Sequence, residues 1–248
     1  MVRDQVLLYS RYVHIFFMDG VGLGFSDVAT NPFVSAETPN LDRLLGSGDW
    51  YLQGNGRISS LRATLVPTDA NMNMPGRPQS ATGQATILTG RNVSQLVGEH
   101  YGPKPNPAVA QLIREGNLFQ EVADAGGKAA LITPYPQAYF DAINSGKRLY
   151  SAVPLAATSA GWPLFGADEL RAGQAISPGF TGQGWHDMLE YTDIPILSLP
   201  EAGRHLAAIA GHYDFSFFEH WPSDRSGHRG VLAGAVTHLE MIDTAVGG

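Results

Sequence analysis

Val13-His14-Ile15-Phe16-Phe17-Met18-Asp19-Gly20-Val21-Gly22-Leu23-Gly24 is the stretch from which the fold can be read. Apolar side chains on both phases of the alternation predict a strand from Val13 to Met18 buried on both faces, as in a parallel sheet. A lone carboxylate, Asp19, then stands at the strand's carboxyl end, where open α/β folds place their sites. The pattern returns late in the chain. Tyr213 to Glu219 is predicted as a second strand, and it runs into His220-Trp221-Pro222-Ser223-Asp224-Arg225-Ser226-Gly227-His228. We read that segment as a polar turn carrying a carboxylate, Asp224, and an imidazole, His228. Acidic strand ends followed by a His bring distant ligands to one metal site in an α/β protein.

Between these strands the punctuation predicts alternating helices and strands. Thr38 is the expected cap of a helix that has Pro39 at its first position and ends near Gly46. Arg57 to Val66 alternates as short strands. Ser80 opens a helix over Ala81 to Leu88, closed by Gly90. A further helix is predicted from Val109 to Ala125, then Gly126-Gly127 and a strand from Ala129 to Ile132, the return half of a βαβ unit. From Pro134 to Pro200 the periodicity fades, and 134–200 is expected to be an insertion or small cap with short helices at Phe140 to Ile143 and Ala167 to Ala172. Glu201 to Ala210 is helical, with Leu206, Ala207 and Ile209 on its apolar side, and Val231 to Val246 is an amphipathic helix. Residues 1–10 form a weakly specified leader. The whole of 11–248 is expected to be one α/β domain, with a mostly parallel sheet and helices on both faces in three layers.

Composition narrows the function classes. At 44% hydrophobic and 16% charged residues, the chain of 248 residues is globular rather than disordered. A formal charge of −7 argues against a nucleic-acid surface, although a bound cation would hold a small anionic substrate locally. No apolar run is long enough for a transmembrane helix, and Arg3 and Asp4 precede no cleavage pattern, so no membrane span or signal peptide is expected. The absence of Cys removes thiolate ligands and disulfides and suits a cytoplasmic location.

Three places carry candidate chemistry. Asp19 is a hard oxygen ligand at a strand end, or an ordinary Asx turn. Ser80, at a helix start, meets the positive end of the helix dipole, which favours an alkoxide or phosphate; the plainer reading is an N-cap. Asp224 and His228 suit zinc, manganese or iron, or else are a capping Asp and a surface His. Glu219 and His220 lie nearby as candidates to orient the metal ligands, and His100 lies in a loop that would border the site. Arg77, Lys147 and Arg148 are cations for an anionic substrate, with a solvated turn as the competing reading of Ser145 to Arg148. Other templates fail: Phe25 stands where a dinucleotide fingerprint needs Gly, and Pro78 and Thr82 occupy the glycine positions of a hydrolase elbow. Val21 stands where a haloacid-dehalogenase-like phosphatase needs a second Asp.

Four segments, MDGVGLG with Asp19, TPNLDRL from Thr38 to Leu44, PQSATGQATILTG from Pro78 to Gly90 and DRSGHRG from Asp224 to Gly230, in this order resemble the alkaline phosphatase superfamily of metalloenzymes. The resemblance is nearest to the branch of phosphopentomutase and cofactor-independent phosphoglycerate mutase, and it spans Val13 to Val246 with gaps. It implies an alkaline-phosphatase-like core and two divalent metal ions, zinc or manganese. It further implies Asp19 and Ser80 at one metal, Asp224 and His228 at the other, and Ser80 as nucleophile toward a phospho- or sulfo-ester. Hydrolase is favoured over mutase, because 134–200 is small for a mutase cap. The family completes its site with an Asp-His-Gly after a further strand and a last His. Neither appears before Gly248, so the resemblance implies a core incomplete at its C-terminal end. The chain is then either a fragment of a longer enzyme or a degenerate, non-catalytic relative that binds metal or ligand weakly.

Overall fold

The computed structural model describes residues 12–48, 50–52 and 56–248, without the side chains of residues 226, 228 and 229; the leader over 1–10 lies outside this range. Strand β1 (Val13–Met18) is followed by helices α1 (Pro32–Ser35) and α2 (Pro39–Leu45) and a hairpin of β2 (Ile58–Ser59) and β3 (Thr64–Leu65). Next come α3 (Ser80–Thr89), α4 (Val93–Val97), α5 (Pro107–Glu115), α6 (Leu118–Asp124) and β4 (Ala129–Leu131). Helices α7 (Gln137–Asn144), α8 (Ala152–Ser159), α9 (Ala167–Arg171), α10 (Gln183–Leu189) and α11 (Leu199–Ala210) lead to β5 (Phe215–His220), α12 (Pro222–Arg229) and α13 (Leu232–Val246).

The main sheet is small and parallel, in the order β1-β5-β4. All six residues of β5 are buried, because the strand is central and covered on both faces. Alternate side chains divide the core. Ile15, Phe17, Leu131, Phe215 and Phe217 pack with α3, α5, α6 and α8. Phe16, Met18, Ile132 and Phe218 pack with α11 and α13. Helices therefore cover both faces of a mixed α/β structure. β1 is an edge of the sheet: no strand pairs with its far side among the described residues, and Val13 is exposed.

Several elements differ from the sequence expectation. The helix over 109–125 is two helices, because Gly116 ends α5 and the Asn117 carboxamide caps α6, accepting from Phe119 N at 3.0 Å and Gln120 N at 3.3 Å. The segment after β5 is the helix α12 rather than a turn. Pro222 occupies its first turn, Asp224 complements the positive end of the helix, and Gly230 closes it in the left-handed region. Helix α8 has no polar stripe, since Ala152 to Ala157 are all buried, so it shows no period in the sequence. It brings part of 134–200 into the core beside α3 and α5. In α11, Ala207 faces solvent while Ala202 and Ala210 join the core.

The cap of α2 is also displaced. Thr38 makes no cap bond to the helix; its hydroxyl donates to Asp42 Oδ1 at 3.1 Å. The free N–H groups go instead to Asp243 of α13: Asn40 N donates to Oδ1 at 3.0 Å and Leu41 N at 2.8 Å. Asp243 is buried, so truncating it strands those donors. Asp243→Ala should lower the unfolding free energy by about 2–3 kcal/mol in urea denaturation; a change below about 0.5 kcal/mol, the range of an ordinary surface substitution, would show that the contact does not hold α2 to α13.

Candidate active site at the carboxyl edge of the sheet

Parallel pairing places the ends of β1 and β5 together, with Met18 opposite His220. Asp19 N continues the ladder to His220 O at 3.1 Å. The Ser223 hydroxyl lies 2.6 Å from Asp19 O and 2.9 Å from His220 O, so it bridges the two exits. Gly20 turns away with φ +74°, and a Cβ there would lie 2.8 Å from Asp224 Cα and 3.2 Å from its Oδ1. Only glycine permits both the left-handed turn and this approach. The start of α12 thus sits against the residue that follows Asp19, which brings Asp224 to the same edge.

Ser80 reaches this edge from the first position of α3. Its hydroxyl donates to Asp19 Oδ2 at 3.1 Å and lies 3.4 Å from Oδ1. Gln79 gives the helix no side-chain cap; in the first turn Thr82 N donates instead to Tyr101 O at 3.1 Å. Gln84, one turn on, aims Nε2 at Asp19 Oδ2 from 3.5 Å and is only 5% exposed. Sequence reading passed over Gln84, although its spacing from Ser80 puts both on one face of the helix. The loop through Gly102 closes over the helix start: a Cβ on Gly102 would lie 3.2 Å from Ser80 N.

The other candidates sort by position. Arg77 and His100 both line a cavity of about 390 Å³ that also touches Gln79 and Gly102, so both border the Ser80 end of α3. Lys147 is exposed in the turn after α7, and among the described residues no hydrogen bond or ion pair ties it to Asp19, Ser80 or Asp224. Arg148 lies over the Tyr139 ring, 4.9 Å from its centroid. Position 228 falls one turn beyond Asp224 on α12; the His228 side chain lies outside the described residues.

Glu219 and His220 end β5 on opposite faces. Glu219 points toward the α3 side, where Tyr135 OH donates to its Oε2 at 2.8 Å. Burial pushes its pKa up to about 7; the Tyr135 bond opposes this, and the negative charge of Asp19 adds to it. His220 Nδ1 donates to Pro178 O at 2.6 Å, so its Nε2 lone pair meets the His238 ring, and Phe180 stacks on it at 4.9 Å. Burial and the neighbouring His238 bring its pKa down to about 4, against the effect of the Pro178 bond. It is a neutral, fixed imidazole.

Compared with known proteins, the chain matches no protein-family model, no curated protein and no solved structure. No helix among the described residues is long and apolar enough to cross a membrane.

Among the described residues no three His, Asp or Glu side chains form a group that could hold a metal ion. Asp19 does gather groups of the kind that hard cations take: a carboxylate, a hydroxyl and a buried carboxamide whose Oε1 has no hydrogen-bond partner among the described residues. These donors fit one divalent cation. Of the second pair, only the Asp224 side chain is described.

The buried Glu219 has a pH signature. Its pKa is about 7 folded against an ordinary 4.5, so the stability it confers is present below pH 4.5 and is lost as pH rises through 7. His220 acts in the other direction: its contribution is present above pH 6.5 and is lost as pH falls through about 4. Glu219→Gln removes only the first effect. The stability of the variant relative to the parent should rise by roughly 3 kcal/mol between pH 4.5 and 7 in urea midpoints; a pH-independent difference would show that Glu219 titrates normally.

Proposed function

We propose that this protein is a metal-dependent phospho- or sulfo-ester hydrolase or transferase with Ser80 as its nucleophile. The observation that carries the reading is the hydrogen bond from Ser80 Oγ to Asp19 Oδ2 at 3.1 Å, made at a helix start on the carboxyl edge of a parallel sheet. Asp19 and Asp224, with His228, are the residues proposed to hold the divalent ions, zinc or manganese. A bound divalent cation would lower the pKa of the hydroxyl and offset charge on the transferring group.

In the proposed reaction Ser80 Oγ attacks the phosphorus or sulfur centre in line. An O–P or O–S bond forms to Ser80 while the bond to the leaving oxygen breaks. The proton given up by Ser80 passes to solvent water, and the leaving alcohol takes up a proton from water. Water, or a second hydroxyl in a transferase, then displaces the group and restores Ser80. The positive end of the α3 dipole favours the anionic group at that position. Arg77, beside the adjoining cavity, and Arg148 are the proposed cations for the substrate.

A second reading is a non-catalytic domain that binds metal or ligand weakly. It draws on the absence of a three-residue ligand group among the described residues. Turnover separates the two. With manganese or zinc, the chain should hydrolyse at least one of p-nitrophenyl phosphate, bis(p-nitrophenyl) phosphate and p-nitrophenyl sulfate. Ser80→Ala should lose at least about a thousandfold in kcat, the scale expected when a serine nucleophile is removed. Turnover that survives in Ser80→Ala would overturn the nucleophile assignment, and no turnover with any of the three esters would favour the non-catalytic reading.

A further inference from the structure

Gln84 is buried beside Asp19 with its hydrogen bonding incomplete. Its Nε2 faces Asp19 Oδ2, the oxygen that also accepts from Ser80, while Oε1 finds no donor among the described residues. A buried amide oxygen without a partner calls for an explanation, and an ion is one of the usual ones. We infer that the Gln84 carboxamide is a further ligand of the cation at Asp19, contributing a neutral oxygen beside the carboxylate and the Ser80 hydroxyl; this rests on the metal-dependent reading above.

The physical argument concerns the sign of the local charge. Toward a carboxylate an amide turns its N–H₂ end, the geometry seen here. A cation on Asp19 Oδ2 reverses the preference, repelling the N–H₂ end and attracting the carbonyl oxygen. The two ends of a carboxamide are nearly the same size, so a half-turn about the last side-chain bond exchanges them without repacking. Amide oxygens are ordinary ligands of hard divalent cations. Gln84 is held for this exchange by its place in α3, one turn from Ser80 and between buried Ala81, Ala85 and Leu88.

The test is a Mn²⁺ titration of the full chain followed by electron paramagnetic resonance, comparing the parent with Gln84→Leu and Gln84→Glu. Gln84→Leu should raise the Kd by about tenfold or more. Gln84→Glu should lower it, while melting at a lower temperature than the parent without added metal, because a second carboxylate then faces Asp19. A merely structural Gln84 would not give this opposite pair of shifts in affinity and melting temperature. Unchanged Kd in Gln84→Leu, with Mn²⁺ bound by the parent, overturns this inference alone. Weaker binding in Gln84→Glu also overturns it. Absence of Mn²⁺ binding by the parent overturns the metal-dependent reading and this inference with it. Should Gln84→Leu fail to fold by circular dichroism, Gln84→Met replaces it.

Discussion

The parallel pairing of β1 with β5 is the constraint from which the candidate site follows. Its register sets Met18 opposite His220, so the two strands release the chain at one level and one edge. Asp19 extends the ladder by one more bond, and Ser223 bridges both exits. A shift of β1 by one residue against β5 would turn Asp19 toward the α11 and α13 layer and away from Ser80. Gly20 completes the arrangement by letting α12 approach its backbone. Polar side chains as far apart in sequence as Asp19 and Asp224 are thus gathered by two strands, a glycine and the first residue of α3.

The central strand also sets the electrostatics. Glu219 and His220 end it on opposite faces, each deeply buried, and burial favours the neutral form of both. The acid is bonded to Tyr135 and feels the charge of Asp19, while the base is fixed by Pro178 and His238. Asp19, at the same edge, accepts from Ser80 and has the Gln84 amide 3.5 Å away. A cation at Asp19 would relieve the repulsion it exerts on Glu219 and give the Gln84 oxygen a partner. The proposed function unites these features through one bound ion.

Much of this was legible in the sequence for identifiable reasons. The bounds of α2 and α3 are legible within a residue because Pro39, Gly46, Ser80 and Gly90 punctuate structure, and β1 ends where its apolar run meets Asp19-Gly20. The candidate pairing of Asp19 with Ser80 rested on motif resemblance, and the structure brings the two into hydrogen-bond contact. Helix α8 was missed because a helix buried all round has no period. The break between α5 and α6 lies at Gly116-Asn117, a stop followed by a start inside an otherwise helical apolar pattern. The cap of α2 was out of reach, since Asp243 acts across 203 residues. Gln84 gives no such signal, because only the geometry shows its amide oxygen to be buried and without a partner among the described residues.

The central claim is that Asp19 anchors a bound cation. Metal content by mass spectrometry, on the chain purified without chelator and incubated with zinc and manganese, tests it most directly when the parent is compared with Asp19→Ala. The account predicts at least one divalent ion per parent chain and its loss in the folded variant. A parent chain that retains no metal, or a variant that retains as much as the parent, would contradict it.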